Sequence, residues 1–322
     1  MSDNVKDVLL VGPGAMGIEY AKVLKDLNVN VKAVGRGEKN AKKFQESTGI
    51  EVQCGDLQRV LESWKTIPEN AIVAVSVEQL SEVTLRLLEC GVKNILVEKP
   101  GAILYQDIRA MGEYAKKKKA NVYIAYNRRF YTSVLEAKKI IEQDGGVSSF
   151  NFEFTEWGFK IEPIVEKKSE LVKETWLLQN STHVIDLAFF LGGKPKELSC
   201  FTGGRLPWHK TGCIYAGAGV TEEGALFSYG ANWDAPGRWA VEILTSKHRL
   251  YLKPMEELQI QNKGSVAVEK VEIDDTLDKQ FKPGLYREVE AFLYGKNIEY
   301  MQTIEEQIES FQTYAKIENK QN

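Results

Sequence analysis

The chain has 322 residues, 43% of them hydrophobic and 27% charged, the balance of a soluble globular protein long enough for two ordinary domains. A formal net charge of −3 excludes a general attraction to nucleic acid or an anionic membrane, and the longest apolar runs, such as AIVAVSV, are far short of a membrane span. The polar N-terminal MSDNVKD lacks a signal peptide's apolar core, and four scattered cysteines (54, 90, 200 and 213) with no CxxC pair read as reduced thiols in a cytoplasmic protein. Histidines 183, 209 and 248 lack metal-ligand spacing, so no metal is expected.

In chain order, strands are predicted at residues 7–11, 30–34, 71–75, 94–97 and 121–125. Helices alternate with them at 15–27, about 39–49, 57–64, 81–91 and 105–118. Near-continuous apolar strands such as DVLLV and NILVE suit a sheet covered on both faces, and the alternation predicts a doubly wound parallel α/β sheet. Four lysines at 116–119 read as a solvated helix C-terminus, where cations suit the macrodipole.

The first strand runs into GPGAMG, with Gly12, Gly14 and Gly17 before an amphipathic helix. The first glycine permits a tight turn, the second admits a pyrophosphate to the backbone, and the third lets helix and strand pack closely. Unpaired N–H groups at the helix start, around Ala15 and Met16, suit phosphate oxygens. A dinucleotide is therefore the expected ligand. The second strand of such a unit normally ends in a carboxylate that binds the ribose 2′-OH of NAD, but here it ends in Gly35-Arg36-Gly37. An arginine offers a bidentate donor to the 2′-phosphate of NADP, with Lys39 as added charge. The expectation is NADP(H) preference with NAD(H) still possible; a solvent-facing loop arginine is the alternative. Ser76, directly after the third predicted strand, is a further cofactor-binding candidate.

After YNRRFYTSVLEAKKIIEQDGG, read as a helix closed by glycines, the texture changes. SSFNFEFTEW and parts of GALFSYGANW, RWAVEILTS and KVEID alternate at period two, which predicts antiparallel strands with one face covered. A helix around QNSTHVIDLAFFLGG interrupts them, TIEEQIESFQTYAKIE closes the chain as another, and NWDAPGRW reads as strand, turn and strand. The division expected is a Rossmann domain over residues 1–123 and a substrate-binding and oligomerisation domain over 124–322.

The N-terminal glycine turn, NILVEKPGA ending in Glu98-Lys99-Pro100, YNRRF at 126–130 and STHVIDLAFFLGG at 181–193 occur in an order and spacing that resembles the Gfo/Idh/MocA family (glucose-fructose oxidoreductase, inositol dehydrogenase, rhizopine catabolism). The resemblance implies an N-terminal Rossmann domain and an α+β C-terminal domain with an open, mostly antiparallel sheet. It implies nicotinamide-dependent oxidation or reduction of a sugar, nucleotide sugar or cyclitol, in a homodimer or homotetramer joined through the C-terminal sheet. By the same resemblance, Lys99 meets nicotinamide and substrate hydroxyl across a cis Lys99-Pro100 bond. His183 is the acid/base group, with Glu98 at the cofactor and Asp186 placed one helical turn on to orient the histidine.

One position departs from the pattern. Many family members carry an aspartate four residues before the histidine; here it is Gln179, which cannot carry a proton or a negative charge. Asn180 is then a candidate to take a substrate hydrogen bond, and Tyr126, Asn127, Arg128 and Trp157 are candidate pocket wall. Arg128 and Arg129 could equally make interdomain ion pairs, Trp233 and Trp239 read as interface or core aromatics, and His209 as loop surface. Two other functions stay open: an epimerase or eliminase that recycles a retained nicotinamide, and a non-catalytic nucleotide sensor or scaffold of the same fold.

Overall fold

In the computed structural model, residues 6–319 are described, so most of the polar N-terminal MSDNVKD stretch lies outside them. The chain divides into two units, each drawing on two stretches: Met1–Asn127 with Leu277–Glu309, and Arg128–Thr276 with Ser310–Asn322. The expected break at residue 123 falls just before the first crossover. The return of residues 277–309 to the first unit has no counterpart in the sequence-based division.

The first unit begins with the alternating pattern. Strands β1 (Asp7–Val11), β2 (Asn30–Gly35) and β3 (Val52–Cys54) run outward to one side; β4 (Asn70–Val73), β5 (Asn94–Glu98) and β6 (Asn121–Ala125) run to the other. All are parallel, with β1 between β2 and β4. Val8, Leu9, Ile72, Ile95 and Leu96 are wholly buried, as expected of strands covered on both faces. β3 was not predicted: its three residues are half-buried or exposed, so it carries no apolar run. The lysine run ends helix Tyr105–Lys118, with Lys116, Lys117 and Lys119 exposed.

The second unit is built on an eight-stranded sheet. In chain order its strands are β7 (Ser149–Glu153), β8 (Pro195–Gly203), β9 (Ile214–Thr221), β10 (Leu226–Asn232), β11 (Ala240–Leu244), β12 (His248–Leu252), β13 (Gln259–Asn262) and β14 (Glu269–Lys270). The spatial order is β14-β13-β12-β11-β7-β10-β9-β8. Among the described residues the pairs are antiparallel except β7 with β10. Inward-facing Phe150, Phe152 and Phe227 pack against Phe189 of helix Thr182–Gly192, with ring centroids 5.2–6.0 Å apart. Gly192 lets that helix lie on the Phe150 ring, where a Cβ would overlap it.

Two expected strands are corrected. KVEID contributes only its lysine to β14, and its remaining residues pair with no strand. In NWDAPGRW the strand ends at Asn232 and the next begins at Ala240, because Trp233 turns into the core, 1% exposed, instead of continuing the ladder. Short helices at Gly158–Val165 and Glu170–Glu174, which no clear periodicity announces, separate β7 from the helix carrying His183.

The chain then returns to the first unit. Helix Leu285–Tyr294 lays Phe292 edge-on to Tyr123 at 6.4 Å, and β15 (Gln302–Thr303) adds to β6 as an antiparallel edge. In helix Ile304–Ile317, the wholly buried Gln307 donates through Nε2 to the Pro100 carbonyl at 2.9 Å and the Tyr126 hydroxyl at 3.2 Å. Among the described residues no helix is long and apolar enough to cross a membrane. Gln307→Leu removes both hydrogen bonds while keeping the volume, and should lower stability by about 1–3 kcal/mol in chemical denaturation.

Candidate functional site

The glycine turn sits where the strand order of the first sheet reverses. From β1 the chain winds to β2 and β3 on one side and crosses to β4 on the other, which opens a crevice at the strand ends. Gly12 has φ +109°, and a Cβ there would strike the Ala74 carbonyl, so only glycine fits between β1 and β4. Gly17 faces the Gly12 carbonyl at a distance that leaves no room for a side chain, which brings helix Ala15–Asp26 against the turn. Gly14 is the helix N-cap, and open space lies where its Cβ would stand.

A cleft of about 360 Å³ opens at this point, with Gly12, Gly14, Gly35, Arg36 and Ser76 all on its wall. Three sequence-predicted strand ends thus converge on one cavity. Asn40, Asp56, Gln79 and Arg86 also line it and were not predicted. Their signal is topological, since they follow β2, β3 and β4 at the same sheet edge. Arg86 is engaged by Glu82 at 3.1 Å and by Gln58 at 3.1 Å, and Asp56 caps helix Leu57–Glu62 by accepting from the Arg59 N–H at 3.2 Å. Ala15, Met16 and Gly17 stand in the helix that begins at this wall.

Glu98 and Lys99 stand at the end of β5 in the same unit. The Tyr20 hydroxyl donates to Glu98 Oε1 at 2.9 Å. Burial pushes the Glu98 carboxyl up, against the opposing pull of the Lys99 ammonium and the Tyr20 hydroxyl. The Lys99-Pro100 bond is cis, as the resemblance implied. Tyr126, expected on a pocket wall, is 1% exposed, and its hydroxyl accepts from Gln307. Asn127 is also buried and donates to the Pro283 carbonyl at 2.8 Å.

In the second unit, His183 lies in the first turn of helix Thr182–Gly192, 9% exposed, with its ring 6.3 Å from Trp239. Arg128 lies over the same indole at 4.9 Å. Asp186, expected to orient His183, is gripped by Arg129, with Nε to Oδ2 at 2.8 Å and Nη2 to Oδ1 at 2.6 Å. Both partners of this pair belong to one unit. Trp157 is exposed; it donates to the Gly237 carbonyl at 2.9 Å, and its ring carries Lys160 at 4.1 Å and Arg238 at 5.2 Å.

The residues before His183 depart from the expectation in one respect. Leu177–Ser181 form a turn of π-helix, a form often found at functional sites. Gln179 turns its amide back, donating to the Val172 carbonyl at 2.8 Å and to Thr175 Oγ1 at 2.7 Å. Asn180 donates to Glu156 Oε2 at 2.7 Å. Glu156 was not predicted; it follows β7 within FTEW, whose period-two pattern reads only as strand. His209, expected on a loop surface, is wholly buried: Nδ1 lies 2.7 Å from the Gly212 carbonyl and the ring 4.9 Å from that of Trp233. The correction follows from Trp208 and Trp233, which stack at 6.1 Å and draw the PWHK loop inward.

The model of an oxidoreductase family with an NAD-binding Rossmann fold, Gfo/Idh/MocA, matches residues 6–126. The likeness to the Gfo/Idh/MocA oxidoreductases is carried by this N-terminal domain. An uncharacterized oxidoreductase of Streptococcus pneumoniae is 27% identical over 199 residues, 61% of this chain and 53% of its own length, so the match spans about half of that relative. Solved structures extend the likeness of fold to nearly the whole chain. A putative NADPH-dependent oxidoreductase from Desulfitobacterium hafniense superposes with TM-score 0.79 at 17% identity, covering 98% of this chain and 95% of its own. A levoglucosan dehydrogenase in complex with NADH and levoglucosan gives 0.76 at 19%, covering 98% and 97%. UDP-N-acetylglucosamine 3-dehydrogenase from Acidithiobacillus ferrooxidans gives 0.75 at 12%, with the same coverage. At these identities the solved structures show a likeness of fold alone, a Rossmann sheet and a second, mostly antiparallel sheet.

The Arg129–Asp186 pair has side chains 9% and 3% exposed, so removing one partner leaves a buried charge uncompensated. Arg129→Ala should cost about 3–5 kcal/mol in urea unfolding, whereas Arg129→Met with Asp186→Leu should recover most of that loss.

Proposed function

We propose that the protein is an NADP(H)-dependent oxidoreductase that transfers hydride between the cofactor and a secondary alcohol or ketone carbon of a sugar, nucleotide sugar or cyclitol, in the cytoplasm. The observation that carries this reading is the convergence of Gly12, Gly14, Gly35, Arg36 and Ser76 on one cleft at the sheet's switch point. The family of the first domain and the sugar dehydrogenases among the solved structures of like fold support the substrate class.

The residues of the cleft fit a dinucleotide. The bare backbone at Gly12 and Gly14 and the start of helix Ala15–Asp26 would receive the pyrophosphate, with Ala15, Met16 and Gly17 holding the turn against the sheet. Arg36 would clamp a 2′-phosphate, and Ser76 would hydrogen-bond the cofactor from the opposite strand end. Glu98 would keep Lys99 in its place at the end of β5. When bound, the nicotinamide supplies the hydride acceptor or donor. The Lys99 ammonium would polarise the substrate oxygen and stabilise alkoxide charge, and the His183 imidazole would take or return the hydroxyl proton. Arg128, Trp157, Asn180 and Asp186 are assigned to the substrate side, with Gln179 and Tyr126 as its structural backing.

The reading includes a homo-oligomer joined through the second sheet. The strand registers place Phe201, Ile214 and Leu226 on one face, and all three are exposed, at 72%, 44% and 63%. Exposed apolar side chains on an outer sheet face would support such a contact. Phe201→Glu should shift the oligomer toward smaller species in light scattering coupled to size exclusion; an unchanged mass sets this face aside.

Cofactor choice is tested by titrating nicotinamide fluorescence with NADPH and NADH. Arg36→Asp should weaken NADPH tenfold or more, about 1.5–3 kcal/mol for a charge-assisted contact, and leave NADH little changed. Lys99→Ala should retain NADPH binding and lose turnover. Equal affinity for both cofactors in the wild type would refute the NADP preference.

A further inference from the structure

The resemblance puts a carboxylate four residues before the histidine, and this chain has none there. Gln179 occupies the position and spends its amide on Val172 and Thr175. A carboxylate nevertheless reaches the same turn from another element. Glu156, 5% exposed, comes off the end of β7 and accepts from Asn180 Nδ2 at 2.7 Å, Ser181 Oγ at 2.5 Å and Trp176 Nε1 at 2.9 Å. Asn180 and Ser181 are three and two residues before His183, at the N-terminal end of its helix.

We propose that Glu156 is a positioning residue that supplies, from the neighbouring strand, the negative charge lost at Gln179, fixing the turn before His183 and raising that histidine's affinity for a proton. This rests on the assignment of His183 as the proton-transfer group. Two physical points support it. A buried carboxylate persists where donors satisfy it, and a donor-only indole N–H together with an amide and a hydroxyl meet that need. A carboxylate within about a helical turn of an imidazole stabilises the imidazolium more than the neutral ring.

The other charged groups about His183 offset one another less completely. Asp186, on the same helix, is compensated by Arg129 in a bidentate pair. Arg128 lies over Trp239, the indole beside the His183 ring, and acts against protonation. Glu156 thus opposes Arg128, and its removal leaves the cation's influence on the histidine.

Glu156→Gln separates charge from packing. The amide oxygen can still accept from Trp176 and Asn180, and the amide nitrogen can donate to Ser181 Oγ, so the local hydrogen bonds are kept while the charge is lost. The His183 titration, followed by NMR of the imidazole in the full chain, should move down by roughly half a pH unit or more. The acid limb of the kcat/KM profile, read with NADP⁺ and levoglucosan, myo-inositol or UDP-N-acetylglucosamine as probes, should move with it. Glu156→Asp, which keeps the charge, should titrate close to the wild type. An unmoved His183 titration in a folded Glu156→Gln overturns the proposal; if that variant does not fold, a wild-type-like titration in the Asn180→Leu, Ser181→Ala double variant, which removes both links between Glu156 and the turn, overturns it instead. A shifted titration in a protein that turns over none of the probes leaves the Glu156 role standing and counts against the oxidoreductase reading.

Discussion

The close approach of Gly17 to the Gly12 carbonyl is the constraint on which the first unit depends. A side chain at either position would push helix Ala15–Asp26 off the sheet or β1 away from β4. With both glycines in place, the N-terminus of the helix meets the ends of β1, β2 and β4, and the cleft forms there without any dedicated loop. Its wall is backbone and small residues on one side, with Arg36 at the end of β2. The pocket's shape is therefore set by the sheet, while the side chain that follows β2 is left free to vary.

The second unit solves a different problem, that of fixing a helix whose surface is almost wholly apolar. Thr182 through Ala188 are all buried, so packing alone holds the helix but leaves its rotation and register open to slippage. Two polar attachments remove that freedom. Asp186 locks one turn through Arg129, and Glu156 locks the turn before it through Asn180 and Ser181. Both are buried and hydrogen-bonded, and each penalises any arrangement that separates its partners. His183 lies between the two attachments in sequence.

The first unit was largely legible in the sequence because its strands are continuous apolar runs and its helices are amphipathic. Strand 121–125 and helix 105–118 stand where the pattern put them. β3 escaped because an edge strand of three residues needs no apolar run. The return of residues 277–309 escaped because long-range docking leaves no local period. In the second unit the helix carrying His183 was legible and its neighbours were not. His209 reads as a loop residue until Trp208 and Trp233 are seen to stack, and nothing along the helix announces Arg129 as a partner of Asp186. These are contacts between elements, which spacing along one element does not encode.

The same limit explains why Gln179 is ambiguous in the sequence alone. Read along the helix, the loss of a carboxylate before His183 looks like the loss of a function. Read across the unit, the turn still carries a carboxylate, held by three donors from residues 176–181. A carboxylate on residue 179 would stand beside the Val172 carbonyl and Thr175 Oγ1, where the present amide donates to both. The carbonyl can only accept, so it would repel a carboxylate at this spot, whereas an amide is satisfied there. Gln179 and Glu156 are therefore linked: the amide suits the π-helical turn at its back, and the charge stands at its front, where an indole, an amide and a hydroxyl can hold it.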